Sequence, residues 1–315
     1  MAVALVFPGQ GSQDIGMGQA LSEAFPVAKS VFDEIDDALG QNLSKLMFEG
    51  PKDELTLTEN AQPALMAVSL AVIRELEAEH GLDMAKQVKF VAGHSLGEYS
   101  ALAASGAFGI ADTARLLKLR GQAMQAAVPV GQGAMAALLG VGLDVAEKVA
   151  AEAAQGDVCD VANDNEPAQV VLSGHAAALA RVAEISKDHG VRRAVPLPVS
   201  APFHCALMQP AADAMAEALK TVTVAKPVVP GISNVTASPT QDPEEIKKRL
   251  VDQVVGTVRW RECVQFMAAN EVTDIIEVGA GKVLAGLVRR THRDFNAVSA
   301  GAPDALAAAA AVLNA

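Results

Sequence analysis

Short apolar runs alternate with longer stretches of helical periodicity along this chain. Val3–Phe7 is an apolar run that ends at Pro8-Gly9, and Val88–Ala92 is a second run that leads into Gly93. Runs of this length between amphipathic helices are typical of strands that are buried on both faces of a parallel sheet. The alternation therefore predicts an α/β protein with a parallel sheet at its centre.

The helical stretches follow from the 3.6-residue spacing of apolar side chains. We predict amphipathic helices over Met17–Gly40, Pro63–Glu79 and Ile110–Met124, and a small packed helix in the alanine-rich tail. Near the end of the chain, α/β units resume with a strand at Asp274–Val278 and a helix from Lys282.

A different order of elements is predicted in the middle of the chain. Strands and helices follow one another as β-α-β-β-α-β, which is the order of a split βαβ or ferredoxin-like unit. We therefore predict a small ferredoxin-like domain over residues 129–198, inserted into a hydrolase-like large domain of residues 1–128 and 199–315. The predicted elements are Ala134–Val141, Asp144–Ala154, Val158–Ala162, Gln169–Ser173, Ala176–His189 and Arg193–Val199, with a turn at Asn163–Pro167.

The second strand runs into Gly93-His94-Ser95-Leu96-Gly97, which matches G-x-S-x-G. Between a strand and a helix, this motif holds its serine in a sharp turn with the hydroxyl exposed, whereas an isolated match is often a glycine-rich turn without chemistry. The N–H groups at the start of the following helix favour negative charge. The context predicts that Ser95 is a nucleophile.

A nucleophilic serine needs a base, and His204 is the candidate among six histidines. His80 and His189 precede glycines at predicted helix ends, and His94 should point away from its neighbour Ser95. His204 lies in Ser200–Cys205, where the small domain returns the chain to the large one, and active sites favour such junctions. Without Ser95, a structural histidine would be the simpler interpretation.

Two glycine-rich segments are not nucleotide loops. After Gly9-Gln10-Gly11, a dinucleotide loop requires glycine where Asp14 stands, and Gly279–Lys282 lacks the spacing of a P-loop. We interpret the first segment as backbone that approaches a site closely, with Gln10 supplying a donor.

Arg120 lies on the apolar stripe of its helix, four residues after Leu116. An arginine there either extends its charged end to water or, if buried, needs a carboxylate or several carbonyls as partners. In the second case its planar fork suits a substrate carboxylate.

Composition excludes several classes of function. The 315 residues contain 25 Lys and Arg against 37 Asp and Glu, so the formal net charge is −12. This balance argues against general binding to nucleic acid or to an anionic membrane. The three cysteines make no disulfide framework or zinc pattern, and neither a signal peptide nor a spanning segment is recognisable. We expect a soluble, cytoplasmic protein without a metal.

The motifs occur together in one order: Gly-Gln-Gly-Ser-Gln, then Gly-His-Ser-Leu-Gly-Glu-Tyr-Ser-Ala-Leu, Arg120, and Phe-His-Cys-Ala-Leu-Met. With this set, essentially the whole chain resembles the malonyl-CoA:acyl carrier protein transacylases of fatty-acid synthesis. It is similar, more distantly, to the acyltransferase domains of polyketide synthases. The resemblance implies an acyltransferase that acts through a malonyl-serine intermediate in a ping-pong cycle.

The resemblance also implies catalytic roles. Ser95 would be the nucleophile and His204 its general base, oriented by the main-chain carbonyl of Gln253. The N–H groups of Gln10 and Leu96 would form the oxyanion hole.

Three further residues would contact or surround the acyl group. The resemblance implies that Arg120 pairs with the free carboxylate of malonyl and that Asn165 lies near the site. Phe203 resembles malonyl-selective rather than methylmalonyl-selective sequences, although the residues around it depart from the commonest versions.

The expected partners are coenzyme A thioesters and acyl carrier protein, with no cofactor and with the chain acting as a monomer. A serine thioesterase, a polyketide-pathway acyltransferase, an acyltransferase for neutral acyl groups and a non-catalytic carrier-binding module are the alternatives. An acidic carrier would need a basic patch, although a solvated surface charge is the simpler interpretation of any one residue. Charge reversal at Arg289 and Arg290 distinguishes a carrier-binding patch from solvated surface charges. An unchanged KM for the carrier, with unchanged salt dependence, would contradict the patch. The candidates are Arg192, Arg193, Lys282, Arg289, Arg290 and Arg293.

Overall fold

A computed structural model describes residues 2–199 and 201–315, which form strands and helices in alternation. Met1 and Ser200, the first residue of the predicted junction segment, lie outside the described residues. The strands are β1 (Val3–Phe7), β2 (Val88–Gly93), β3 (Gly133–Leu139), β4 (Cys159–Glu166), β5 (Gln169–His175), β6 (Arg193–Pro196), β7 (Gly231–Ile232), β8 (Pro239–Thr240), β9 (Asp274–Val278) and β10 (Asn296–Ala300).

The helices surround two sheets. They are α1 (Gln19–Ala24), α2 (Pro26–Leu39), α3 (Leu43–Glu49), α4 (Lys52–Thr56), α5 (Thr58–Glu79), α6 (Met84–Gln87), α7 (Leu96–Ala104), α8 (Ile110–Ala127), α9 (Leu143–Ala154), α10 (Ala176–Ile185), α11 (Gln209–Thr221), α12 (Pro243–Val255), α13 (Trp260–Ala269), α14 (Val283–Thr291) and α15 (Pro303–Leu313), with a 3-10 turn at Ala206–Met208.

The larger sheet has the order β10-β9-β1-β2-β7-β8, and its pairs are parallel except β7 with β8. Every residue of β1 and β9 is buried, as expected for strands covered by helices on both faces. The prediction of an α/β fold with a parallel sheet is confirmed. From β1 the chain continues to β2 on one side and later to β9 on the other, and ligands bind at the carboxyl ends of strands where the order reverses in this way.

The smaller sheet is antiparallel, with the order β4-β5-β3-β6. Because strand side chains alternate between faces, Ala136 and Leu138 of β3 pack against α9 and α10, whereas Met135 and Ala137 face the main core. One face of this sheet therefore closes its own small core, and the other borders the body of the protein.

The predicted turn at Asn163–Pro167 is wrong, because Asn163–Glu166 belong to β4 and the turn is confined to Pro167-Ala168. These polar residues are accommodated because they have partners. Asp164 is buried in an ion pair with Arg261, whose Nη2 lies 2.7 Å from Oδ2. The register with β5 shifts between Asp164 and Glu166, which leaves Asn165 at a bulge.

Two predicted helices have different bounds in the structure. Met17–Gly40 is two helices, because Phe25 is extended before Pro26, as residues that precede proline usually are. The helix predicted from Pro63 begins at Thr58, so Pro63 lies inside it.

The helix and the strand that end the segment of the smaller sheet are shorter than predicted. Helix α10 ends at Ile185 rather than at His189, and β6 ends at Pro196 rather than at Val199.

No helix in the described part of the chain combines the length and apolar character needed to cross a membrane.

Candidate active site

A strand–helix elbow presents Ser95. The residue follows β2 and precedes α7, with φ of 55°, which is a conformation that L-residues rarely adopt. A Cβ on Gly93 would lie 1.9 Å from the carbonyl carbon of Gly97, and one on Gly97 would lie 2.2 Å from the Phe7 oxygen. Both glycines of the motif are therefore required by the close packing of the elbow.

Ser95 and His204 form a hydrogen-bonded pair. Ser95 Oγ lies 2.7 Å from His204 Nε2, and His204 Nδ1 lies 2.8 Å from the main-chain oxygen of Gln253. A carbonyl oxygen only accepts, so Nδ1 carries the proton and Nε2 is left to accept the serine hydroxyl. The residues predicted as nucleophile, base and orienting carbonyl thus form one chain of two hydrogen bonds.

Burial keeps His204 neutral. Its desolvation, and next the charge of Arg120, lower the pKa of His204 to about 3. The imidazole is therefore unprotonated, and able to take a proton from Ser95, at any pH well above that value.

We expect the rate of acyl loading onto the protein to change less than twofold between pH 5 and pH 6. A histidine with an ordinary pKa of about 6.5 would lose about eightfold over the same interval as it became protonated. Glu98, which burial holds at a pKa of about 7, stays protonated throughout, so its ionisation adds no change. Rapid-quench measurement of that loading tests this, and an eightfold fall would show that His204 titrates normally.

Arg120 is a buried cation, 1% exposed, that forms no ion pair with any described residue. Its Nη1 donates to Gln62 Oε1 at 2.7 Å, and its Nη2 donates to Gln253 Oε1 at 2.9 Å and to Ser95 Oγ at 3.2 Å. Neutral groups accept these bonds, its Nε has no hydrogen-bond partner among the described residues, and no carboxylate pairs with it directly, which is costly in a buried site. Its guanidinium therefore favours an anion that enters beside the serine.

A cavity of about 470 Å³ opens at this point between the two sheets. Gln10, Leu96 and Phe203, to which the resemblance gives roles at the site, lie in its wall, and so do Ser95, Arg120 and His204. The rest of the lining is mixed, with apolar residues (Met124, Met135, Leu197, Pro198 and Val199) and polar ones (Gln13, Lys52, Thr56, Gln62, His94 and Asn163).

The loop after β1 brings Gln10 beside the elbow. A Cβ on Gly9 would lie 2.8 Å from the oxygen of His94, so the two segments touch. The side-chain oxygen of Gln10 accepts a hydrogen bond from Thr58 Oγ1 at 2.9 Å, which directs that side chain toward α5.

Asn165 is placed differently from the other predicted site residues. Its Oδ1 lies 2.8 Å from His94 Nε2, and Asn163, not Asn165, appears in the cavity wall. Asn165 therefore reaches the site through His94, which precedes the nucleophile.

Sequence reasoning missed two buried polar residues under the elbow. Asn234 Oδ1 accepts from the Ser95 N–H at 2.8 Å, and Asn234 Nδ2 donates to the Gly93 oxygen at 2.7 Å. Glu98 Oε2 accepts from Asn234 N at 3.0 Å and from Gln253 Nε2 at 2.7 Å. A carboxylate in the otherwise apolar helix after the serine is a signal for Glu98, whereas nothing local marks Asn234.

The described residues contain no group of three or more His, Cys, Asp or Glu side chains that could hold a metal ion. What the site offers is a serine hydroxyl, a neutral base and a buried cation around one cavity. This set suits the transfer of an acyl group that carries its own negative charge.

Comparison with known proteins agrees with this chemistry. The chain belongs to the acyl transferase domain family, because the sequence model of that family matches residues 4–310. Among its relatives, the malonyl CoA-acyl carrier protein transacylase of Bacillus subtilis is 44% identical over 305 residues, 96% of this chain and 95% of that protein. The predicted resemblance is thereby confirmed.

Solved structures give the same result. An acyl-carrier-protein-S-malonyltransferase from Bartonella henselae matches with a TM-score of 0.98 and 55% identity, and each chain is covered fully. A malonyl-transacylase solved in complex with its type II PKS acyl-carrier protein matches with a TM-score of 0.95 and 40% identity, over 99% of each chain.

Proposed function

We propose that this acyltransferase moves malonyl from malonyl-CoA to the phosphopantetheine thiol of acyl carrier protein through an ester on Ser95. The product supplies extender units for fatty-acid synthesis. The observation that carries the proposal is the buried guanidinium of Arg120, which pairs with no carboxylate among the described residues and lies 3.2 Å from Ser95 Oγ. A malonyl group esterified to Ser95 would place its free carboxylate within reach of that fork.

The first half-reaction loads the serine. Ser95 Oγ attacks the thioester carbonyl while its proton passes to His204 Nε2, and the Gln253 carbonyl stabilises the imidazolium that forms. The N–H groups of Gln10 and Leu96 hold the oxyanion, each contributing about 3 kcal/mol by analogy with other oxyanion holes. When the carbon–sulfur bond breaks, His204 returns the proton to the departing thiolate of coenzyme A.

The second half-reaction reverses these steps with a new thiol. His204 takes the proton of the phosphopantetheine thiol, the thiolate attacks the ester, and Ser95 leaves with that proton. Each proton thus has a named donor and acceptor among these groups, so we propose that the cycle needs no metal or cofactor.

Two further residues have roles at the site, one in the cavity wall and one behind it. We propose that Phe203, 8% exposed in the cavity wall, limits the space beside the acyl group and so favours malonyl over branched analogues. Asn165 acts on the site through its contact with His94.

The domain division and the mode of action are part of the proposal. The antiparallel order β4-β5-β3-β6 supports a ferredoxin-like domain over residues 129–198, inserted into a hydrolase-like domain of residues 1–128 and 199–315. The cavity opens where Leu197 of one domain faces Ser95 of the other, so a carrier arm enters between them. We propose that the chain acts as a cytoplasmic monomer, with acyl carrier protein as its partner.

Intact-mass measurement with malonyl-CoA tests this function. We expect one malonyl group per chain, stable until phosphopantetheinylated carrier protein is added and then transferred to the carrier in equal amount. A serine thioesterase would release malonate without any carrier, and a non-catalytic carrier-binding module would acquire no adduct. Either outcome contradicts the proposal, and faster discharge to a polyketide carrier than to a fatty-acid carrier would move the chain to the alternative pathway.

A further inference from the structure

Glu98 is a buried carboxyl group for which the proposed cycle has no use. It lies in the first turn of α7, three residues after Ser95, and is 5% exposed. Burying a carboxyl group is costly unless its oxygens are hydrogen-bonded, and its desolvation raises the pKa of Glu98 to about 7. A buried carboxyl group next to the nucleophile is therefore expected to have a role, and its hydrogen-bond partners indicate which one.

The contact with Gln253 gives that explanation. The side-chain amide of Gln253 has one donating and one accepting end, and the two ends meet different partners. Its Nε2 donates to Glu98 Oε2 at 2.7 Å and to the Ser95 oxygen at 3.0 Å, and its Oε1 accepts from Arg120 Nη2 at 2.9 Å.

These partners fix the amide in one orientation. A flipped amide would place its NH₂ against the guanidinium of Arg120 and its oxygen against Glu98 Oε2 and the Ser95 carbonyl, so every contact would become repulsive. If Glu98 is protonated on Oε1, Oε2 still accepts. The acceptor at Oε2 is therefore one of three partners, with Arg120 Nη2 and the Ser95 oxygen, that favour the same orientation of Gln253.

We infer that Glu98 is a positioning residue that fixes the Gln253 amide and, through it, aims the Arg120 fork at the carboxylate of the acyl group. The inference rests on the proposed function and adds to it the residue that sets the preference for malonyl over acyl groups without a carboxylate. Loss of the Oε2 acceptor removes the shortest of the three contacts that hold the amide, so the amide, and with it Arg120, is held less firmly.

Glu98 has a second contact, with Asn234, whose effects must be separated from those of its contact with Gln253. Its Oε2 also accepts from the N–H of Asn234, whose side chain holds the elbow at Ser95 and Gly93. Damage to the Asn234 contact displaces the nucleophile and slows every acyl donor alike, whereas damage to the Gln253 contact also misdirects Arg120 and so slows donors with a carboxylate more than the others. The ratio of malonyl to acetyl loading removes the effect that the two donors share and reports the effect on Arg120.

Three variants test the inference: Glu98→Gln, Glu98→Met and Gln253→Met. We expect Glu98→Gln, which keeps an acceptor oxygen, to load malonyl within threefold of the parent. Glu98→Met and Gln253→Met should each lower the malonyl:acetyl ratio of kcat/KM at least tenfold. The double variant should lower the ratio no further, because both changes break one chain of contacts.

The outcomes separate the possible failures. An equal fall for malonyl and acetyl in Glu98→Met, or an unchanged ratio in Gln253→Met, overturns the inference. If Glu98→Met does not fold, Gln253→Met and Glu98→Gln decide the question by the same ratio. A parent protein that loads no malonyl refutes the proposed function itself, which is a different result from a parent that loads malonyl and variants that keep its preference.

Discussion

The Ser95→Ala variant is expected to acquire no malonyl group from malonyl-CoA, with turnover lowered on the order of 10⁶-fold, as when a nucleophilic serine is removed elsewhere. The change deletes the hydroxyl that lies 2.7 Å from His204 Nε2 and 3.2 Å from Arg120 Nη2. The base then has no hydroxyl to activate, and the cation has no tethered acyl group to pair with. Intact mass before and after incubation measures the adduct.

Ser100→Ala is the matched control. Ser100 lies in the same helix α7 and is buried, and its Oγ has no hydrogen-bond partner among the described residues. Its replacement removes a serine from the same neighbourhood without touching Ser95 or His204, so loading should match the parent. Labelling of Ser95→Ala at the parent's rate, or loss of labelling in Ser100→Ala, would assign the acyl group to another residue.

The Arg120→Ala variant is expected to lower kcat/KM for malonyl-CoA by about 10²–10³-fold and to leave acetyl-CoA unchanged or improved. Removing one partner of a buried charge pair costs about 3–5 kcal/mol, because the other charge is left unpaired. The malonyl carboxylate would be that charge. An acetyl group carries none, so it loses nothing and no longer shares the cavity with a desolvated cation.

Arg115→Ala controls for removal of an arginine from the same helix. Arg115 is half exposed and pairs with Asp112 at 3.1 Å, outside the cavity. Its loss should change neither donor beyond about twofold, since exposed ion pairs contribute less than about 1 kcal/mol. Equal losses of malonyl and acetyl transfer in Arg120→Ala would show that Arg120 supports the fold of the site instead of recognising a carboxylate.

The parts of the fold and of the site that could be predicted are those that depend on residues close together in the sequence. Strand β1 has the predicted bounds Val3–Phe7, because an unbroken apolar run followed by Pro-Gly has few alternatives. The motif around Ser95 is partly local: Gly93 lies against the backbone of Gly97 in the same turn, whereas Gly97 is required by the distant backbone of Phe7. Arg120 was identifiable because a charge on an apolar stripe needs a partner.

The rest depends on contacts between distant segments. Asn163–Glu166 look like a turn in sequence, and they form a strand because Arg261, nearly a hundred positions away, neutralises Asp164. Asn234 lies in a loop and contacts the elbow at Ser95, but the sequence of that loop does not indicate this contact. The role of Gln253 came from family resemblance alone, since a main-chain acceptor leaves no trace in residue type.

That main-chain acceptor has a genetic consequence. A codon change at position 253 replaces the group that hangs from the backbone, but the peptide oxygen that orients His204 is present whatever the residue. The hydrogen bond that orients His204 Nδ1 is thus preserved in single substitutions at this position. It is lost only if the end of α12 (Pro243–Val255) moves. The side chain at the same position has no such protection, because its amide contacts Arg120, Glu98 and the Ser95 oxygen.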